Sequence, residues 1–201
     1  MAKLLIGTKN PGKLSEIRTI LGNVHHELES LAAFDKIETP AEDAPSYAQN
    51  AIIKAKSYAG QTGLLTLADD SGLEVQALNW APGVLSARYA GEGASDEMRR
   101  DRLLAELART GSGNRRARFV CAVAIAHPNQ TIVNVAEAVC LGRITEAARG
   151  SGGFGYDPLF IPAGFDLTFA ELEDYVKNQI SHRGLALAQT REFLLQMSDT
   201  L

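Results

Sequence analysis

The sequence predicts an α/β fold built on a mixed sheet, and three features carry that prediction. Short apolar runs alternate with helical stretches over the first half of the chain, the pattern of helices laid against a sheet. Those helical stretches have recognisable start and stop residues at their ends. In the middle, two β-like runs flank His127-Pro128-Asn129-Gln130 and read as an antiparallel hairpin. With 201 residues the chain suits one sizeable domain or a compact two-lobed one.

Residues 3–7 form the first apolar run and read as a strand. Residues 11–21 then read as a helix: Asn10 is placed to cap it, Pro11 fits its first position, and Leu14, Ile17 and Leu21 form its apolar stripe. Gly22 ends it. A weaker strand follows over 25–31. The acidic stretch 35–45, with Pro40 and Pro45, is a loop. Ser46 and Gln49 form a capping box for a second helix, expected to stop at Gly60. Residues 64–68 read as a strand that enters a polar turn at Asp69-Asp70-Ser71-Gly72. Residues 79–94 read as loop. Ser95 caps a third helix with Asp96 and Glu97 in its first turn, and Gly111 closes it. The hairpin covers 117–126 and 131–141. Residues 150–158 are glycine-rich, and 169–177 and 181–197 read as helices.

Composition excludes several function classes. The formal net charge of −4 does not favour non-specific binding to nucleic acid. The first apolar run is far too short for a signal peptide or a membrane span, so a cytoplasmic protein is expected. Cys121 and Cys140 lie inside β-like runs without a C-x-x-C and read as buried small hydrophobes; the four histidines have no metal-ligand spacing.

Five segments hold groups suited to chemistry. In "IGTKNPGK", Gly7, Gly12 and Lys13 match the P-loop spacing, but Leu14 stands where that motif needs a hydroxyl for magnesium. Free N–H groups at the helix start, with Lys9 and Lys13, suit a phosphate; an ordinary strand–turn–helix with solvated lysines fits the same residues. In "LLTLADDSG", adjacent carboxylates at a strand end are costly unless a cation is near, and a magnesium ion bridging to phosphates is one resolution. Asp70 could hold the metal or take a proton from water; two turn-forming residues are the plain alternative. Glu42 precedes the second helix, on which Asn50 and Lys54 share a face, so Glu42 could complete a metal site and Lys54 reach a phosphate. In "GSGGFGYDP", Phe154 and Tyr156 could stack on a flat ring and Asp157 accept hydrogen bonds. In "KNQISHRG", Ser181 reads as a helix cap, which puts His182 and Arg183 where positive charge opposes the dipole; contact with an acceptor-rich ligand would explain them.

Taken together, "TKNPGK", "ADDSGLEV", "PGVLSARYAG", "GGFGYDPLF" and "ISHRG" resemble the noncanonical purine nucleoside triphosphate pyrophosphatases in order and spacing over almost the whole chain. These enzymes hydrolyse inosine, deoxyinosine and xanthosine triphosphates (ITP, dITP, XTP). The resemblance implies one catalytic domain over residues 1–201 and an elongated, two-lobed mixed sheet flanked by helices, with a cleft between the lobes. It also implies a homodimer and dependence on Mg2+; the net charge and the short first apolar run, not the resemblance, lead to the expectation of no nucleic-acid or membrane partner. Carried over by position, Thr8, Lys9, Asn10, Pro11, Gly12 and Lys13 would hold the triphosphate with Lys54. Glu42 and Asp70 would bind magnesium, and Asp70, assisted or tuned by Asp69, would accept the proton. Ser71, Phe154, Gly155, Tyr156, Asp157, Lys177, His182 and Arg183 would contact the nucleotide. One segment departs: the family often has Glu-Asn-Ala where this chain has Gln49-Asn50-Ala51, and a glycine where it has Ala44.

Two other classes fit parts of the pattern. A P-loop-like NTPase releasing orthophosphate would use "LLTLADD" as its second acidic motif, but Leu14 and the hairpin oppose it. A nucleotide-sensing module would have little use for Glu42, Asp69 and Asp70 together.

Overall fold

The computed structural model describes residues 2–22 and 24–198. Six strands form one mixed sheet in the order β2-β1-β3-β4-β5-β6. They are β1 (Ala2–Ile6), β2 (His26–Ser30), β3 (Leu65–Val75), β4 (Arg116–Ala126), β5 (Ile132–Ile144) and β6 (Phe160–Pro162). β1 pairs in parallel with both β2 and β3, whereas β5 and β6 are antiparallel. The helices are α1 (Pro11–Leu21), α2 (Tyr47–Thr62), α3 (Asp96–Arg109), α4 (Asp174–Ile180) and α5 (His182–Ser198). The predicted mixed α/β architecture is the one observed. Among the described residues, no helix is long and apolar enough to cross a membrane.

The chain divides into two compact units. The first comprises 1–70, 121–138 and 183–201; the second comprises 71–120 and 139–182. Each has its own core. In the first, Leu4, Ile6, Ile17, Leu21, Leu67, Val123 and Leu187 pack together, with Leu14 partly buried against them. In the second, Leu73, Leu103, Tyr156, Phe160 and Phe169 do so.

Most local signals hold. Asn10 caps α1, its Oδ1 accepting the Lys13 N–H at 3.0 Å, and Ser46 and Ser95 cap α2 and α3 in the same way. At the hairpin the Gln130 N–H donates to the His127 carbonyl at 2.7 Å. Three expectations need correction. The polar run at 69–72 is no turn: β3 continues through it to Val75, because β1 and β4 flank the strand and its carboxylates find cationic partners. Tertiary context overrides turn propensity there. Gly60 does not end α2, which runs on to Thr62 and is capped by the left-handed Gly63; Gly60 packs closely on Gln130. The helix expected at 169–177 begins only at Asp174, since Thr168 and Glu171 instead close a local turn on each other. Ser181 then ends α4, its N–H donating to the Lys177 carbonyl, while α5 starts at His182.

Gly7 shows why the P-loop spacing misleads. A Cβ at Gly7 would lie 2.8 Å from Tyr58 Cδ2 and 3.1 Å from the Leu67 carbonyl oxygen, so this glycine serves the packing of β1 on α2 and β3. Gly7→Ala is expected to cost about 1–3 kcal/mol through overpacking. A urea unfolding midpoint unchanged from wild type would contradict that assignment.

Candidate active site

Asp69 and Asp70 are consecutive on β3, so their side chains leave opposite faces of the sheet. Each meets a separate set of partners within the first unit. Asp69 is 2% exposed, and its Oδ2 lies 2.9 Å from Lys13 Nζ and 3.2 Å from Arg183 Nε. Arg183 Nη1 in turn meets Glu16 Oε2 at 2.6 Å. Lys13 and Glu16 are three residues apart on α1 and so share a face. The result is an alternating array of two cations and two anions. Burial works against the ionised form of Asp69, but Lys13, Arg183 and Lys54 outweigh it and hold the carboxyl well below the usual range. Its Oδ1 has no hydrogen-bond partner among the described residues.

Asp70 faces α2 and the acidic loop. Its Oδ1 accepts from Lys54 Nζ at 2.9 Å and its Oδ2 from Asn50 Nδ2 at 3.2 Å. Lys54 also donates to Glu42 Oε2 at 2.8 Å. Asn50 brackets the backbone of Ala44, accepting its N–H at 3.1 Å and donating to its carbonyl at 3.3 Å. One amide side chain thus fixes the loop carrying Glu42 against Asp70, although Ala44 replaces the family's glycine. Burial raises the Asp70 carboxyl above its ordinary value, with Lys54 and Lys13 only partly opposing it. Burial also works against the Lys54 ammonium, yet Asp70, Asp69 and Glu42 push it up to about 12. Lys54 therefore stays charged.

The acid dependence of stability follows from Asp69. Its folded-state carboxyl is held below its unfolded value, so the stabilisation is fully present above that value and is lost as pH falls below it. Metal-free protein is expected to lose stability on acidification below about pH 4, and Asp69→Asn to flatten that limb. The check is the urea midpoint measured through this window for both proteins; parallel curves would contradict the Asp69 array.

The donors suit a hard divalent cation. Glu42 and Asp70 offer carboxylate oxygens, and both already contact one cation, the Lys54 ammonium. Among the described residues no group of three or more His, Cys, Asp or Glu side chains could hold a metal. Two carboxylates are what magnesium asks of a protein when water and phosphate oxygens complete its shell.

The remaining expected residues of the first unit cluster at the start of α1. Lys9 Nζ donates to Thr39 Oγ1 at 2.7 Å, and the Thr8 hydroxyl accepts the Asn10 N–H at 3.2 Å. Lys9, Asn10 and Pro11 are exposed; Gly12 is partly so.

The second unit holds the other expected set. Asp157 Oδ2 accepts from Lys177 Nζ at 2.6 Å and from the Phe154 N–H at 2.9 Å. Lys177 lies 5.1 Å from the centroid of the Phe154 ring. Gly153 has a φ of +67°, and a Cβ there would be 2.2 Å from Asp157 Oδ2, so only glycine lets the loop fold onto this carboxylate. Tyr156 differs from expectation: it is a core residue, its hydroxyl donating to the Ser86 carbonyl at 3.0 Å, which leaves Phe154 as the less buried ring of the pair. The His182 ring stacks on Phe119, with centroids 4.5 Å apart. Ser71 is part-buried on β3.

The family resemblance places Arg183 at a nucleotide; the structure engages it with Asp69 and Glu16. Sequence reasoning missed Glu16 and the bracketing role of Asn50. The spacing of Glu16 from Lys13 was the available signal. Both cysteines are free, and burial pushes their thiols up, to about 12 for Cys121 and about 11 for Cys140, in keeping with inert core residues.

A family model, Ham1 family, matches residues 4–193. The chain belongs to the Ham1 family. A relative from Desulforamulus reducens, named dITP/XTP pyrophosphatase, is 46% identical over 192 residues, covering 96% of this chain and 95% of its own. The structure of a HAM1 protein from Coxiella burnetii matches with a TM-score of 0.88 at 38% identity, covering 98% of this chain and all of that one. The Staphylococcus aureus Ham1 protein matches with a TM-score of 0.84 at 35% identity, over 97% of this chain and 99% of its own. The mixed six-stranded sheet flanked by helices is therefore the Ham1 fold.

Proposed function

We propose that this Ham1 protein hydrolyses noncanonical purine nucleoside triphosphates (ITP, dITP and XTP) to the monophosphate and pyrophosphate. The observation that carries the reading is the Glu42–Lys54–Asp70 cluster, in which a partly exposed Glu42 meets the buried Lys54 and Asp70, braced by Asn50. The names of relatives that cover nearly the whole chain agree with it. The chain acts as one pyrophosphatase domain, and the homodimer expected from the family likeness belongs to the same proposal.

Magnesium would be held by Glu42 and Asp70 and, when bound, supplies charge neutralisation for the phosphates. Asp70 takes a proton from the attacking water. The water oxygen bonds to the α-phosphorus, the bridge to the β-phosphate breaks, and pyrophosphate leaves with the bridging oxygen. Lys13 and Lys54 meet the charge of the phosphate chain, with Thr8, Lys9, Asn10, Pro11 and Gly12 at the start of α1. Asp69 holds Lys13 in place and takes no proton. On the nucleoside side the assignment is Ser71, Phe154, Gly155, Asp157, Lys177, His182 and Arg183, with Phe154 as the stacking ring and Tyr156 as its support from the core.

Rejection of adenine rests on the six-position carbonyl of inosine and xanthosine, which accepts from a protein donor where adenine presents a donor of its own; guanine shares that carbonyl, so its rejection rests on its 2-amino group. A buried mispairing of this kind can discriminate by up to ~10⁴–10⁵. Purified protein with magnesium, given inosine, xanthosine, guanosine and adenosine triphosphates separately, is expected to turn over the first two far faster than the others. Equal rates across the four would contradict the base preference, and orthophosphate as the product would contradict the reading and favour a P-loop-like NTPase.

A further inference from the structure

The first turns of α3 hold the glycine-rich loop by its backbone. The Gly155 N–H donates to Asp96 Oδ2 at 2.7 Å, and the Gly155 carbonyl accepts from Arg100 Nη1 at 2.8 Å. Asp96 and Arg100 are four residues apart and so lie on one face of the helix. Both backbone polar groups of one residue in a surface loop are thus met by charged side chains of a distant element. Asp96 is itself held, its Oδ1 accepting from Arg99 Nη2 at 2.6 Å, and Arg99 also donates to the Ala87 carbonyl. Next to Gly155, Phe154 faces the Lys177 ammonium and donates its N–H to Asp157. The loop is therefore pinned at three successive residues: 154 by Asp157, 155 by Asp96 and Arg100, and 156 by the bond from its hydroxyl to Ser86.

We propose that Asp96 and Arg100 are positioning residues for the nucleoside: acting through Gly155, they fix the direction in which Phe154 is presented, and so tune purine binding and base preference. This rests on the pyrophosphatase reading above. An acidic residue in the first turn of a helix also has a plain explanation, its interaction with the helix dipole. That explanation needs no bond to Gly155. It is also indifferent to one added methylene, whereas positioning is not.

The experiment compares wild type with Asp96→Glu, Asp96→Ala, Arg100→Lys and Arg100→Ala, measuring kcat and KM for inosine and adenosine triphosphates beside the melting temperature. Positioning predicts that Arg100→Ala and Asp96→Ala raise KM for inosine triphosphate by ~10-fold and lower the preference over adenosine triphosphate, with kcat less affected. It predicts a smaller shift of the same kind for Asp96→Glu, at an unchanged melting temperature. The proposal is overturned if the melting temperature falls while KM and the preference stay at wild-type values, or if Asp96→Glu behaves as wild type throughout. Should Asp96→Ala not fold, the Arg100 variants decide, since alanine and lysine are both good helix formers at that interior position. Absence of turnover in the wild type would overturn the pyrophosphatase reading first, and this proposal with it.

Discussion

Asp70→Asn is expected to lower turnover of inosine triphosphate by ~10²–10⁴-fold, the contribution of a positioned general base, while the protein remains folded. The substitution keeps the shape of the side chain, and its amide oxygen can still accept from Lys54. Lys54 also keeps Glu42 as a charge partner at 2.8 Å, so its ammonium is not left alone in a buried setting. What is lost, on the proposed mechanism, is the carboxylate that would take the proton and help hold magnesium. The check is single-turnover rate beside a thermal melt. Full activity in a folded variant would remove Asp70 from the reaction.

Asp69→Ala is expected to act in the opposite way, on stability first. Lys13 and Arg183 both bond its Oδ2, and its side chain is fully enclosed. Removing one partner of a buried ion pair leaves uncompensated charge and costs about 3–5 kcal/mol. Glu16 stays with Arg183 and moderates the loss on that side. The expected result is a large fall in the urea midpoint, accompanied by weaker triphosphate binding because Asp69 no longer holds Lys13. Asp69→Asn should be milder, since the amide oxygen can still accept from one cation. If Asp69→Ala were as stable as wild type, Asp69 would not be the hub of the array.

Two adjacent carboxylates thus meet separate partners because a strand sends consecutive side chains to opposite faces. That division could not be read from the sequence. "ADDSG" is rich in turn formers, and its local chemistry argues for a turn; only the flanking strands and the distant cations Lys13, Lys54 and Arg183 keep it extended. Local signals served well where local physics decides: Asn10, Ser46 and Ser95 cap the helices as their side chains suggest, and Leu14 turns toward the core. They failed where a partner far along the chain decides. Tyr156 reaches Ser86, so it joins the core. Arg183 finds Glu16, whose spacing from Lys13 was visible but whose partner was not. The five candidate segments stand out in the sequence because each concentrates charged residues or glycines; the partners those residues meet do not.

The most direct test of the proposed reaction is hydrolysis of inosine triphosphate by the wild-type protein in heavy-oxygen water, with the products separated and weighed. Attack at the α-phosphorus places the heavy oxygen in inosine monophosphate and leaves pyrophosphate unlabelled. Label in pyrophosphate, or release of labelled orthophosphate, would place the attack at another phosphorus and contradict the roles of Asp70, Lys13 and Lys54.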